Sequence, residues 1–322
     1  MRAAPGKDGY DCVLGLSGGV DSSYMAYVVK DLGLKPLVVH FDNGWNSELA
    51  VQNIEQIVTR LGLDLYTFVM DWEEFRDLQR SYFLASVIDL EVPTDHMIFG
   101  ALHQIAAKKK IKYILAGTNV RTEWLLPRTW YYPKADLVNL RGIHRAFGTQ
   151  PLKALPALGV WQVARYHASG IRSVRLLDLL DYDKPEAKRI LMDEIGWRDY
   201  GGKHFESIFT RFYQGHILPR KWNVDKRKAH LSNLIYSGME TREAALTELD
   251  VPPYDPALQH EDARFVAKKL GWGVEEFGRI LDAPNVPHEA YGTDAAQRDR
   301  YFRWVTGTKT LRSLVRKLAP TS

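Results

Sequence analysis

The stretch Cys12-Val13-Leu14-Gly15-Leu16-Ser17-Gly18-Gly19-Val20-Asp21-Ser22-Ser23 decides the fold of this chain. Its first residues form an apolar run typical of a buried strand, and apolar residues then recur at helical spacing as far as Gly33. The segment between them therefore joins a strand to a helix. Gly18 and Gly19 let the backbone approach an anion, and the helix N-terminus directs N–H groups into the same space. The sequence predicts a phosphate-binding turn.

The side chains of this turn add donors and one acid. Ser17, Ser22 and Ser23 supply hydroxyl groups, and Asp21 supplies a carboxylate. A carboxylate beside a phosphate is unfavourable unless a magnesium ion bridges the two, or unless the acid caps the helix. A plain glycine and serine turn with Asp21 as an ordinary N-cap is the alternative.

The turn lacks the lysine of the Walker motif, so it is not the loop with which kinases and GTPases hold the β and γ phosphates. It resembles the SGGxDSS signature of the PP-loop ATP pyrophosphatases, which cleave ATP between the α and β phosphates. The resemblance implies a Rossmann-like fold of the adenine nucleotide alpha hydrolase type. It also implies that ATP is bound by Ser17, Gly18, Gly19, Asp21, Ser22 and Ser23.

Composition sets the outer bounds. The chain has 322 residues, 45% of them hydrophobic, which is enough for a sizeable core in one or two domains. No apolar run reaches the length that crosses a bilayer and the first residues lack a signal peptide, so we expect a cytoplasmic protein with no membrane partner. One cysteine, Cys12, excludes an internal disulfide framework. A net charge of +4 fits an anionic small substrate, and we expect no nucleic acid partner.

Strand and helix patterns alternate along the first 180 residues, which predicts an α/β domain with a doubly wound, mostly parallel sheet. We predict strands at Cys12–Leu16, Leu37–Phe41, Leu65–Met70, Tyr113–Ala116 and Val174–Leu177, and helices at Ser47–Leu61, Trp72–Ala85 and Asp95–Lys109. Ligands of such sheets bind beyond the carboxyl ends of the strands. Three segments should therefore converge: Ser17–Ser23, His40–Trp45 and Gly117–Glu123.

Two of these segments receive roles from the PP-loop resemblance. It implies that His40, Phe41 and Asp42 line the adenosine, although Asp42-Asn43-Gly44 also fits an ordinary turn. It further implies that the nucleotide is covered by Gly117, Thr118 and Asn119. Glu123 lies one helical turn beyond Asn119, where it would share magnesium with Asp21 unless it is a simple surface glutamate.

From about Asp181 the pattern changes to short helices without a strand series. We therefore predict a PP-loop domain at 1–180 and a helical substrate or partner domain at 181–322. Within the second, the stretch Lys203–His230 holds two acids and seven basic residues, namely Lys203, Arg211, Arg220, Lys221, Lys226, Arg227 and Lys228. That surplus favours an anionic ligand, and a solvated helix face is the alternative for Arg220, Lys221 and Lys228.

Four stretches carry a closer resemblance, to the N-acetyl sugar amidotransferases, the WbpG-like enzymes of lipopolysaccharide O-antigen biosynthesis. They are Tyr10–Ser23, Val39–Asn46, Gly196–His204 and Asp225–Ser232, within a region that runs from about Tyr10 to Leu270. In that family an N-acetyl group on a nucleotide-linked sugar becomes an acetamidino group. Many relatives begin with a cysteine-bearing segment that this chain lacks, so we expect no zinc.

An amide oxygen is a poor leaving group, and its adenylylation by ATP would make displacement by ammonia feasible. Alignment and stabilisation of the leaving pyrophosphate would then be the main tasks of the protein, with Asp21, Lys203, Arg211, Lys226 and Arg227 as the candidate catalytic residues.

The chain lacks the cysteine arrangements of the known glutaminases, because residue 2 is Arg and Cys12 begins an apolar strand. The resemblance implies that ammonia comes from separate glutaminase and cyclase-like proteins related to the synthase of the histidine pathway. Asp95 and His96 are candidates for handling a proton, although Asp95 more simply caps the following helix.

Two other functions remain open. An RNA thiolase or another RNA-modifying PP-loop enzyme would share the phosphate loop, but those that carry sulfur as a persulfide need a reactive cysteine. A non-catalytic nucleotide-binding protein of the universal-stress type is the second, and it fits the SGGxDSS loop and the basic helical half poorly.

Overall fold

The structure, a computed structural model, describes residues 1–2, 5–201 and 205–318, with side chains as far as residue 307. Its centre is a sheet of five parallel strands in the order β3-β2-β1-β4-β5. The strands are β1 (Cys12–Gly15), β2 (Pro36–Asp42), β3 (Asp64–Val69), β4 (Tyr113–Ala116) and β5 (Arg172–Arg175). The predicted doubly wound parallel sheet is confirmed.

In the described residues, seven α-helices lie between the start of the chain and the end of the sheet. They are α1 (Val20–Asp31), α2 (Glu48–Leu61), α3 (Trp72–Ala85), α4 (Val92–Lys108), α5 (Val120–Glu123), α6 (Leu137–Phe147) and α7 (Val160–Ala168). Ser47, predicted as the first residue of α2, lies one position before the helix and caps it through its side chain, and Gly62 follows the helix in the left-handed conformation.

Helices alone follow the sheet in the described residues. They are α8 (Lys184–Ile190), α9 (Ile208–Phe212), α10 (Leu218–Trp222), α11 (Lys226–Tyr236), α12 (Arg242–Asp250), α13 (Pro256–Lys269), α14 (Val274–Leu281) and α15 (Ala295–Leu318). A π-helical turn, Tyr213–Ile217, joins α9 directly to α10. None of the described helices has the length and apolar character needed to span a membrane.

Both faces of the sheet are covered because successive β1 side chains point in opposite directions. Leu14 packs on the face that carries α1 and α2, with Met25 and Ile57. Val13 packs on the other face, with Leu102 of α4 and Tyr166 of α7. The alternation makes β1 the buried centre of a three-layer structure.

The strand order reverses at β1. This strand pairs with β2 on one side, where Cys12 lies opposite Pro36, and with β4 on the other, where Val13 lies opposite Ile114. Chain connections then leave β1 and β4 in divergent directions, which opens a crevice at their carboxyl ends. The predicted phosphate-binding segment Ser17–Ser23, called the phosphate turn below, follows β1 at that edge.

A third core joins the two halves of the chain. Trp45 and Phe75 from the first half pack in one cluster with Phe209, Tyr213 and Trp272 from the second. The aromatic rings of Trp45 and Phe209 lie 5.4 Å apart. The domain boundary at 180/181 stays a prediction, and in this structure residues from both sides of it share a core.

Two local predictions were wrong. The strand predicted at Val174–Leu177 occupies Arg172–Arg175, because Leu176 and Leu177 turn into the core in a 3-10 turn. Asp95 does not cap α4, which begins three residues earlier with Glu91 at the N-cap position. The Asp95 carboxylate instead pairs with the ammonium group of Lys134 at 3.0 Å.

His96 is part of the core. Its Nδ1 donates to the Lys134 carbonyl at 2.7 Å, and its Nε2 accepts from the Leu158 N–H at 3.1 Å. Burial lowers the pKa of the His96 ring to about 4. Because both ring nitrogens are used and the ring is neutral, its position favours a structural role over proton transfer.

We expect His96 to make the free energy of unfolding depend on pH between about 6.5 and 4. In that window the unfolded histidine binds a proton and the folded ring does not, so stability falls as pH falls, by up to about 1.4 kcal/mol per pH unit. Urea unfolding at several pH values measures the slope. His96→Gln keeps one donor and one acceptor without titrating. The change in its free energy of unfolding per pH unit should therefore lack the contribution of one proton, up to about 1.4 kcal/mol. Equal slopes would show that His96 binds its proton in the folded state.

Candidate active site

The phosphate turn and the turn after β4 meet at the crevice. A Cβ atom added to Gly117 would lie 3.4 Å from both the backbone N and the Cα of Ser22. The backbone of the second turn therefore lies directly against the start of α1. The predicted convergence of these two segments is observed.

The phosphate turn has an open helix N-terminus. Gly19 is the N-cap residue of α1 and provides no side-chain cap, so the first turn of the helix has N–H groups for an anion. Gly18 has a φ of +86°, and a Cβ there would lie 2.9 Å from the Ala50 carbonyl oxygen. The hydroxyl groups of Ser17 and Ser22 lie 3.1 Å apart and hold the turn closed on itself.

Two buried polar atoms at this crevice have no hydrogen-bond partner. They are Oγ of Ser23 and Nδ2 of Asn119, among six such side-chain atoms in the described residues. The other end of the Asn119 amide is satisfied, because Oδ1 accepts from the Thr122 N–H at 2.9 Å. Buried polar groups are almost always paired, so these two atoms fit a polar ligand between the turns. The residues present fit a bound nucleotide.

Asp21 and Glu123 both act on one hydroxyl group. The Tyr182 hydroxyl donates to the Asp21 carboxylate. Burial, followed by the negative charge of Asp21 and a smaller contribution from Glu123, raises the pKa of Tyr182. Magnesium is commonly held by one or two carboxylates together with phosphate oxygens, and its binding by Asp21 and Glu123 stays a prediction. No group of three or more metal-ligating side chains occurs in the described part of the chain.

The last three residues of β2 are occupied by internal contacts. His40 is buried, and its Nδ1 donates to the Leu16 carbonyl at 3.1 Å while Asn46 contacts its Nε2. Phe41 stacks on Phe68 at 5.4 Å, and the Asp42 carboxylate accepts from the Gly44 N–H at 2.9 Å. The side chains thus shape the strand end, and contact of these residues with adenosine stays a prediction.

Two of the predicted catalytic cations are held by acids of the helical half. Arg211 makes a bidentate ion pair with the buried carboxylate of Asp262, at 2.7 and 2.8 Å. Arg227 pairs with Asp225 at 2.8 Å and donates to the backbone carbonyl of Val251 at 2.7 Å. These contacts connect helices, and the catalytic role of both arginines stays a prediction.

The remaining basic residues differ in their surroundings. Lys203 lies outside the described residues. Lys226 begins α11, lies 3.9 Å from the Glu91 carboxylate and sits over the Tyr213 ring. Arg220 pairs with Asp282 at 2.6 Å, and Lys221 donates to backbone carbonyls at the end of α14, whereas Lys228 is exposed.

Several residues that contact the phosphate turn had no individual prediction. Tyr182 reaches Asp21, and Trp197 and Tyr200 donate to the Gly18 carbonyl. The Glu206 carboxylate lies next to Gly19, 3.3 Å from where a Cβ would stand. The Gly196–His204 stretch indicated the family resemblance but did not predict these contacts. No pattern in the sequence pointed to Tyr182.

We expect Arg211→Met to destabilise the protein by about 3 kcal/mol, because it leaves the buried Asp262 carboxylate without its cation. Urea unfolding measures the loss. The double variant Arg211→Met with Asp262→Asn removes both charges and should recover much of that stability. If the double variant is as unstable as the sum of the two single variants, the ion pair is not what Arg211 contributes.

Comparisons with known proteins point to one family and to a wider group of relatives. Residues 206–309 match the family model described as the C-terminal domain of WbpG-like lipopolysaccharide biosynthesis proteins. A tRNA-specific 2-thiouridylase, MnmA 2 of Fusobacterium nucleatum, is 22% identical over 66% of this chain and 63% of that protein. The tRNA(Ile)-lysidine synthase of Chlamydia pneumoniae is 35% identical over 21% of this chain and 22% of that protein. The chain thus spans less than two thirds of either relative.

Solved structures of similar proteins include the NMN synthetase of Francisella tularensis, with a TM-score of 0.39 and 15% identity over 82% of this chain and 88% of that one. The NH3-dependent NAD synthetase of Campylobacter jejuni has a TM-score of 0.36 and 14% identity over 85% of this chain and 88% of that one.

Proposed function

We propose that this chain, whose residues 206–309 place it in the WbpG-like family, is an ATP-dependent sugar amidotransferase. It would convert the acetamido group of a nucleotide-linked sugar, in our proposal a UDP-linked one, into an acetamidino group. Its products besides the sugar would be AMP and pyrophosphate. The sugar would serve lipopolysaccharide O-antigen or another surface polysaccharide.

One observation carries the ATP part of this proposal. The turn after β4 and the helix N-terminus after β1 face each other at the strand reversal, and each contributes a buried polar atom without a partner, on Asn119 and Ser23. A nucleotide phosphate chain offers the oxygens that such donors require. The sugar part rests on the family match of the helical half.

The reaction would balance in two steps. The amide oxygen of the sugar forms a bond to the α-phosphorus of ATP, and pyrophosphate leaves. Ammonia then adds to the imidate carbon, loses a proton, and AMP departs with the former amide oxygen. The open N-terminus of α1 would stabilise the charge on the leaving pyrophosphate. Magnesium, held by Asp21 and Glu123, would neutralise phosphate charge.

Ammonia is proposed to come from separate glutaminase and cyclase-like proteins. Cys12 supports that source rather than internal glutamine hydrolysis, because it is fully buried in β1 and burial raises the pKa of its thiol to about 12. A thiol with that pKa forms almost no thiolate at neutral pH.

A second candidate is an RNA-modifying enzyme, since both curated relatives named above modify tRNA. The buried Cys12 is the only cysteine of the chain, so persulfide-based thiolation has no reactive thiol here. The alternative that should be tested is therefore an RNA modification that does not use a cysteine.

The first test is the dependence of AMP formation on the acceptor. We expect AMP and pyrophosphate to appear only when ATP, magnesium, an N-acetylated sugar nucleotide and an ammonium salt are all present. Nucleotide chromatography measures AMP, and mass spectrometry with 15N-ammonium measures nitrogen in the sugar. Turnover driven by tRNA and not by the sugar would favour the second candidate. No AMP with any acceptor would refute both.

A second test separates charge from hydrogen bonding at Asp21. Asp21→Asn keeps an oxygen that can accept from the Tyr182 hydroxyl and removes the negative charge. We expect it to lower the rate of AMP formation about a hundredfold at an unchanged unfolding temperature, because magnesium loses a charged ligand. Tyr182→Phe is the control that keeps the charge and loses the bond. An Asp21→Asn enzyme with normal activity would contradict a metal role for Asp21.

A further inference from the structure

The carbonyl oxygen of Gly18 accepts two hydrogen bonds from one segment of the helical half. Nε1 of Trp197 donates at 2.8 Å and the hydroxyl of Tyr200 donates at 2.5 Å. The two rings meet edge to face, with centroids 5.5 Å apart. Both lone pairs of this oxygen are therefore used, and its direction is fixed by two independent donors.

The segment that supplies these donors is itself anchored. The side chain of Asn53, buried on α2, bonds both the N–H and the carbonyl of Arg198, at 2.9 and 2.8 Å. The N–H of Trp197 donates to the Leu191 carbonyl at 3.1 Å. Trp197 is 1% exposed. Trp197 and Tyr200 thus flank a backbone that is bonded on both edges, which makes them rigid donors.

The hydrogen bonds to the Gly18 carbonyl also fix the direction of the Gly19 N–H, because both groups belong to one peptide unit. A trans peptide is planar, so its carbonyl and its N–H point in opposite directions. With the Gly18 carbonyl held toward Trp197 and Tyr200, the Gly19 N–H must point into the turn, where it donates to Oγ of Ser17 at 3.3 Å. The φ of +86° at Gly18 lets the peptide adopt this orientation.

We infer that Trp197 and Tyr200 are positioning residues, which orient the Gly18–Gly19 peptide so that the phosphate turn is preformed for the pyrophosphate part of ATP. The inference rests on the proposed use of this turn for ATP. A preformed cradle avoids the cost of ordering backbone groups at the moment of binding. The alternative is that the two rings only fill the core beside α1.

The test uses Trp197→Phe and Tyr200→Phe, which remove one donor each and keep an aromatic ring. Tyr291→Phe is the matched control, because the Tyr291 hydroxyl also donates to a backbone carbonyl, that of Ala85 at the end of α3, at 3.1 Å. Binding of magnesium-ATP and of inorganic pyrophosphate is measured by titration calorimetry. The unfolding temperature and the KM values for ATP and sugar nucleotide are measured in parallel.

We expect Tyr200→Phe and Trp197→Phe each to weaken binding of ATP and of pyrophosphate about tenfold, the size of one lost hydrogen bond. KM for ATP should rise while KM for the sugar nucleotide stays unchanged. The unfolding temperature of Tyr200→Phe should change no more than that of Tyr291→Phe. The double variant should bind pyrophosphate more weakly than either single variant.

Unchanged binding of both ligands in the double variant would overturn the inference and leave the proposed function intact. A variant that loses stability but binds ATP normally when folded would assign the two rings to the core alone. A wild-type protein that binds ATP and forms no AMP with any acceptor would refute the proposed function, while the binding series would still decide the role of Trp197 and Tyr200.

Discussion

The reversal of strand order at β1 is the constraint on which the site depends. Because β2 and β4 pair with opposite edges of β1, the turn after β1 has the turn after β4 on one side and the end of β2 on the other. Gly117 then reaches the backbone of Ser22, and Ser23 and Asn119, one on each side of this contact along the chain, are both buried. A sheet with sequential strand order would close this crevice.

The helical half is built into the same site. Ser207 pairs with Asn46 in an antiparallel bridge, so the chain after β2 is held by the segment that leads into α9. Lys269 of α13 donates to the Gly44 carbonyl and lies 4.9 Å over the rings of Trp45 and Trp72. Burial among aromatic rings lowers the pKa of the Lys269 ammonium group, because removal from water disfavours its charged form. These contacts tie the helical half to the segment of chain that follows β2.

Local signals in the sequence were sufficient for most of the sheet and for the position of the phosphate turn. The strand β4, the helix α3 and the end of α2 at Leu61 agree with their patterns, because each depends on neighbours within one element. The partners of the basic residues could not be read in this way. Arg211 meets Asp262 across 51 residues, and Trp197 meets Gly18 across 179. Such pairs depend on how helices pack, and a charge surplus in one stretch cannot distinguish a ligand from a distant carboxylate.

The central claim is that the amide oxygen of the sugar attacks the α-phosphorus of ATP. A sugar nucleotide with 18O in its acetamido group, converted with unlabelled ATP and ammonium, tests this claim, with mass spectrometry of the AMP as the measurement. The account predicts one 18O atom in each AMP formed and none in pyrophosphate. AMP without the label, with the 18O retained in the sugar or released to water or inorganic phosphate, would contradict it.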